Sequence, residues 1–159
     1  MTQATRKVQF AGCTANPNEA WMEQIARNLT DPFDGFLLIK RYLIMDRDTK
    51  YCKGFRDIIE QADVKCLRLL PRSPNLNPHM ERYIRSLKEE CLDRMILFGE
   101  KSLRKAIQEF ISHYHAERNH QGLNDKLIEP ENEIGHIKGQ IESRERLGGM
   151  LRYYYRKAA

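Results

Sequence analysis

Between Trp21 and Leu29 the apolar positions fall at i, i+1, i+4, i+5 and i+8, through Met22, Ile25 and Ala26. That spacing draws one stripe along a helix. Asn16-Pro17-Asn18-Glu19 reads as its start, with Asn16 as N-cap, Pro17 at the first helical position and Glu19 three after the cap. Thr30-Asp31-Pro32-Phe33-Asp34-Gly35 ends it with turn chemistry. Upstream, Thr5 to Thr14 alternates, with Val8, Phe10 and Thr14 on one side, and predicts a strand. Arg41 to Met45 is a short apolar run without alternation, which predicts a strand buried on both faces, as in a parallel sheet. Phe55, Ile58, Ile59 and Ala62 mark a short helix, and Val64 to Leu70 a second strand ended by Pro71. Strand, helix and strand in about thirty residues make a βαβ unit of an α/β layer.

The second half is helical by pattern. Pro71-Arg72-Ser73-Pro74-Asn75-Leu76 is a loop by composition. Asn77 then caps a helix with Pro78 in its first position, expected to run to about Phe98 with Ile84, Leu87, Cys91 and Met95 as its stripe and Gly99 as its left-handed stop. Another helix is expected from about Lys101 to Glu117, with Leu103, Ile107, Phe110, Ile111 and Tyr114 on one face. Past Gln121-Gly122-Leu123 the signal weakens; Ile134, Ile137 and Ile141 suggest a further helix, and Gly148-Gly149 breaks the chain before the Tyr-rich end, Leu151 to Lys157.

Composition narrows the class. With 159 residues, 41% of them hydrophobic and 31% charged, the chain suits one domain with a real core. No apolar run approaches a membrane span, and Met1 to Lys7 is no secretory signal, so a cytoplasmic protein without membrane contact is expected. The net charge of +5 fits a polyanionic partner or merely a basic surface. Cys13, Cys52, Cys66 and Cys91 form no Cys-x-x-Cys pair and lie in apolar segments, as buried reduced thiols do.

Two carboxylates stand out. Asp46 follows the Arg41–Met45 strand, at the strand end where α/β sheets bind ligands. Glu81 lies about 35 residues on, in the first turn of a helix, and Arg85 and Lys88 share its face at i+4 and i+7. Phosphodiester transfer stabilises both attacking and leaving oxygens, commonly with two Mg²⁺ ions held by dispersed carboxylates. Each acid alone reads equally as a turn residue or a helix-dipole partner.

These segments together resemble one family. Leu43-Ile44-Met45-Asp46-Arg47-Asp48-Thr49-Lys50-Tyr51, Pro71 to Asn77, Glu81 to Asp93 and His113-Tyr114-His115-Ala116-Glu117-Arg118-Asn119-His120-Gln121-Gly122-Leu123 look like the core of bacterial insertion-sequence transposases, in the DDE transposase and retroviral-integrase superfamily. The resemblance runs from Arg6 to the terminal tyrosines. It implies an RNase H-like α/β fold, a mixed sheet flanked by helices, over residues 1–128, with a C-terminal tail of helix and Tyr-rich segment over 129–159. It implies DNA as partner and Mg²⁺-dependent strand cleavage and transfer, with Mn²⁺ as substitute. The family spacing of the second catalytic Asp to an aromatic five residues on selects Asp46, paired with Tyr51, over Asp48. The helix-opening position selects Glu81 over Glu89 and Glu90. Asp46 and Glu81 are then the catalytic and metal-binding pair, and Arg85 and Lys88 the helix cations expected on DNA.

The chain departs from that pattern at its start. The family's first catalytic Asp sits on a strand that should precede Arg6, and Asp31 and Asp34 lie in a turn after the first helix. The expectation is therefore a core lacking its first two strands and first Asp, from a truncated or split reading frame, and inactive alone. An exposed sheet edge would favour self-association or pairing with full-length transposase. A non-catalytic DNA-binding or transposase-interacting remnant is the alternative, and a merely basic α/β protein a third. His113 and His115, two apart, face away from each other on a helix and make a poor zinc pair. Tyr153 to Tyr155, with Arg152, Arg156 and Lys157, suit packing or base stacking.

Overall fold

A computed structural model describes residues 1–71, 77–130 and 139–156. The chain folds as two compact units, one formed by Ala11–Pro78 and the other by Met1–Phe10 with His79–Ala159. The expected loop at Arg72–Leu76, the helix positions Ile134 and Ile137, and Lys157 lie outside the described residues.

The Ala11–Pro78 unit is built on α1 (Glu19–Leu29), β1 (Tyr42–Met45), α2 (Lys53–Gln61) and β2 (Lys65–Arg68). Helix α1 starts two residues later than its sequence suggests, because Asn18 and not Asn16 caps it: the Asn18 side chain accepts from the Trp21 N–H at 2.9 Å. The Asn16 carbonyl instead accepts from the Asn18 N–H at 2.8 Å, closing a turn ahead of the helix. Helix α2 has an unexpected cap, the Cys52 thiol, whose Sγ accepts from the Phe55 N–H at 3.4 Å. The apolar faces of both helices meet in one cluster. Met22, Ile25 and Ala26 from α1 and Phe55 and Ile59 from α2 are buried there with Leu37, Met45 and Val64.

The βαβ expectation holds: β1 and β2 pair in parallel, Tyr42 opposite Lys65 through Met45 opposite Arg68. Burial of β1 on both faces does not hold. Only Met45 is buried in β1, while Tyr42 is 55% exposed and Leu67 of β2 45% exposed. A two-stranded sheet has too few neighbours to enclose both faces of a strand. Among the described residues the strands form two separate pairs rather than one mixed sheet.

The other unit holds α3 (Pro78–Glu90), α4 (Gly99–Ala116), β3 (Ile141–Arg146) and β4 (Leu151–Arg156). Helix α3 stops at Glu90, well short of Phe98. A 3₁₀ turn, Leu92–Arg94, follows, and the Arg94 guanidinium donates to the Glu89 carbonyl at 2.8 Å. Met95 therefore packs from a loop and not from a helix stripe. Gly99 is left-handed at φ +74°, as expected of it, but it opens α4 instead of closing α3. The buried side of α3 runs through Tyr83 and, beyond its end, Cys91, leaving Ile84 39% exposed. Tyr83, Phe110 and Tyr114 form an aromatic cluster, with Tyr83 edge-on to Tyr114 at 4.9 Å between centroids. Val8, Ala106 and Leu151 complete this second core.

Two further expectations are corrected. Thr5 to Thr14 is not a strand. Val8 is buried, and its N–H donates to His115 Nε2 at 3.0 Å, so the alternation is satisfied by packing and one side chain without a ladder. Ile141 belongs to a strand and not a helix: β3 pairs antiparallel with β4, Ile141 opposite Arg156 through Arg146 opposite Leu151. Leu147, Gly148 and Gly149, all with positive φ, make the turn between them. Tyr153 and Tyr155 stack on one face of β4 at 6.0 Å. None of the four cysteines is in a disulfide, and Cys91 is the buried one. Among the described residues no helix is long and apolar enough to cross a membrane.

Candidate nucleic-acid interface

Asp46 ends β1, and the backbone then turns sharply. Asp46 Oδ1 accepts from the Asp48 N–H at 3.0 Å, and Asp48 accepts from both the Lys50 N–H and the Lys50 ammonium at 2.9 Å. The backbone and side-chain bonds from Lys50 hold the Asp48 carboxyl below its usual range, and the bond to Asp48 holds Lys50 above its own. Tyr51 anchors this loop: its ring packs against Phe55 at 5.3 Å, and burial, aided by the Asp46 charge, raises its phenol. Arg47 Nε donates to the Leu69 carbonyl at 3.0 Å and ties the loop to the end of β2. Asp46 is thus an exposed carboxylate on a braced loop, while Asp48 is committed to Lys50.

Glu81, Arg85 and Lys88 are all on α3 and all exposed. At about 100° per residue they fall within one arc of that helix. Asp46 belongs to one unit and Glu81 to the other. As hard oxygen donors the two fit Mg²⁺ in kind. They do not fit in number: among the described residues no three His, Cys, Asp or Glu gather into a group that could hold a metal ion.

The Tyr114-to-His120 segment is held by several bonds. His115 is buried, and since it accepts Val8 N–H at Nε2, its proton sits on Nδ1, facing Glu129 at 3.3 Å. Burial holds its pKa below the ordinary value, Lys7 and His120 adding to that and Glu129 opposing it. The His115 carbonyl accepts from the Ile128 and Glu129 N–H groups at 3.0 and 2.9 Å. His120 Nε2 lies 2.8 Å from the Tyr114 carbonyl, so Nε2 carries the proton. Arg118 pairs with Glu90 at the end of α3.

Glu117 was not singled out by sequence, yet its carboxylate is wholly enclosed. It accepts from His113 Nδ1 at 2.8 Å and from Arg146 Nε and Nη2 at 3.0 and 2.8 Å, with Arg144 Nη1 at 3.4 Å. Arg146 also reaches Glu109 at 2.9 Å. Burial alone would raise the Glu117 carboxyl; the bonds from Arg146 and His113 outweigh it and hold the group below its usual range. The role is structural, since it rivets the end of α4 to β3.

Residues 62–127 match the family model of the integrase core domain. The match covers less than half of the chain and is a similarity to that family. The matched segment starts at the end of α2 and runs through β2, α3 and α4 to the turn beyond His120. It includes Glu81, Arg85, Lys88 and the Tyr114–His120 element, and Asp46 lies before it. Neither a curated protein nor a solved structure matches the chain.

Proposed function

We propose that this chain works on DNA as part of an RNase H-like integrase or transposase core that cleaves and transfers strands. The observation carrying the proposal is the integrase core match over residues 62–127. Asp46 and Glu81 are assigned the catalytic and Mg²⁺-binding roles, with Mn²⁺ able to substitute, on family spacing and hard-oxygen chemistry alone. Arg85 and Lys88, exposed on the same arc of α3 as Glu81, are assigned to the DNA backbone. Self-association, or pairing with a full-length transposase, belongs to the same reading. A second reading, DNA binding without cleavage, draws on a concave surface in the second unit whose lining holds cations and no carboxylate.

The test uses the isotopically labelled full chain with duplex DNA and Mn²⁺. Paramagnetic broadening is expected to centre on the Asp46 and Glu81 amides and to vanish in Asp46→Asn and Glu81→Gln. Broadening elsewhere, unchanged by both substitutions, contradicts the metal assignment. Nicking of plasmid DNA that depends on both acids supports the first reading and overturns the expectation that the chain is inactive alone, and tight DNA binding without nicking supports the second.

A further inference from the structure

We propose that the cleft between α3 and the segment after α4, closed by the N-terminal turn, is a clamp for one backbone phosphate of DNA. The inference rests on the DNA reading above and extends it to residues outside the Glu81, Arg85 and Lys88 arc. The cleft encloses about 230 Å³ and draws Arg6, His79, Arg82, Arg118 and His120 from three separate stretches of chain. That is below the 300–1,000 Å³ typical of small-molecule pockets. It suits a phosphodiester group better than a whole nucleotide or metabolite.

The charge is one-sided. Three arginines and two histidines line the cleft, together with Ser86 and Asn119, and no acid does. Arg118 has its carboxylate partner, Glu90, outside the lining, so the guanidinium is held in place as well as charged. Burial and the neighbouring Arg6 and Arg82 keep His79 below its ordinary pKa; burial, Arg118 and Arg6 do the same for His120, against the Tyr114 carbonyl. At neutral pH the positive charge therefore comes from the arginines, whose planar forks suit phosphate oxygens.

The N-terminal arm places Arg6 in the lining, with its guanidinium donating to the Gln3 carbonyl. Arg6 has φ +60°, a left-handed conformation that non-glycine residues rarely adopt. The turn is held by Thr2 N–H to the Lys7 carbonyl at 2.8 Å and Arg6 N–H to the Thr2 carbonyl at 2.9 Å. The next two residues are pinned as well, Lys7 to Glu129 and Val8 to His115. Opposite, the Tyr114 ring meets His120 edge-on at 4.5 Å and fixes that wall. Cations gathered from separate segments onto a braced, acid-free wall match what a phosphate contact demands.

The test is fluorescence anisotropy of labelled duplex DNA with the full chain, over a salt series, for wild type, Arg82→Gln, Arg6→Gln and Arg82→Lys. Each phosphate contact contributes about 0.9 to the slope of log affinity against log salt. Loss of one contact should lower affinity roughly fivefold to tenfold at 0.1 M salt and flatten the slope by about one. The two glutamine variants should do this and Arg82→Lys should keep the slope, all with unchanged circular dichroism. Wild-type binding that neither glutamine variant alters overturns the clamp and leaves the DNA reading standing. Absence of any wild-type DNA affinity overturns both.

Discussion

Removing Arg146 should cost the protein more than any other single charge. Glu117 sits with its carboxylate fully enclosed and receives bonds at 3.0 and 2.8 Å from Arg146. Arg146→Met keeps much of the side chain's bulk and deletes the fork. Truncating one partner of a buried pair costs about 3–5 kcal/mol, mostly because the other charge is left stranded. Arg146 is itself 17% exposed, and His113 and Arg144 still reach the carboxylate, so about 3 kcal/mol is the expected value here. With a urea dependence of about 2 kcal/mol per molar, the unfolding midpoint should fall by about 1.5 M. The assay is urea unfolding followed by circular dichroism, with hydrogen exchange of the Tyr114 and His115 amides as the local probe. The double variant Glu117→Leu with Arg146→Met removes both charges together and should be destabilised by much less than the sum of the singles. A midpoint shift below about 0.5 M for Arg146→Met, or strict additivity in the double variant, refutes the account of this cluster.

Other consequences are equally direct. His115 has a native pKa below its unfolded value of 6.5, so it binds its proton more weakly when folded. Its contribution to stability is complete above about pH 6.5 and is lost as pH falls from there through the lowered native value. His115→Gln should flatten the stability–pH profile in that window; an unchanged slope counts against the neutral, Val8-bonded imidazole. A Cβ on Gly35 would lie 2.5 Å from the Asp31 carbonyl oxygen and 2.7 Å from that of Leu29. Backbone must move to admit it, so Gly35→Ala should destabilise by about 2 kcal/mol, read from the fluorescence of Trp21. Ile59→Ala, at a fully buried position of α2, should cost about 2–5 kcal/mol by the same readout, and a loss below about 1 kcal/mol would mean that the core repacks around it.

Some of this was legible in the sequence and some was not, for identifiable reasons. Helix α1 and the β1–α2–β2 unit follow from periodicity, because one face of each helix must find apolar partners. Helix α4 was bounded within two residues for the same reason. The end of α3 escaped because Leu92 and Met95 continue an apolar rhythm that packs from a 3₁₀ turn and a loop. The β3–β4 hairpin escaped because its alternation is carried by charged residues, Glu142, Arg144 and Arg146, of which Glu142 meets Tyr155 across the hairpin and the two arginines reach Glu117. Glu117 and Arg146 are 29 residues apart, a separation that no local pattern encodes. Asp46 and Glu81 stand out in the sequence as residue types at family spacing, and the fold puts them in separate units. Arg6, Arg82 and Arg118 were not legible as one group, since folding alone brings three distant segments to one cleft.

The proposed function stands or falls on DNA binding through backbone phosphates. The most direct measurement is the affinity of the full chain for a duplex oligonucleotide between 50 and 200 mM salt. A straight line of log affinity against log salt is expected, with a slope corresponding to several contacts. Absent affinity at the lowest salt, or affinity that does not change with salt, contradicts it.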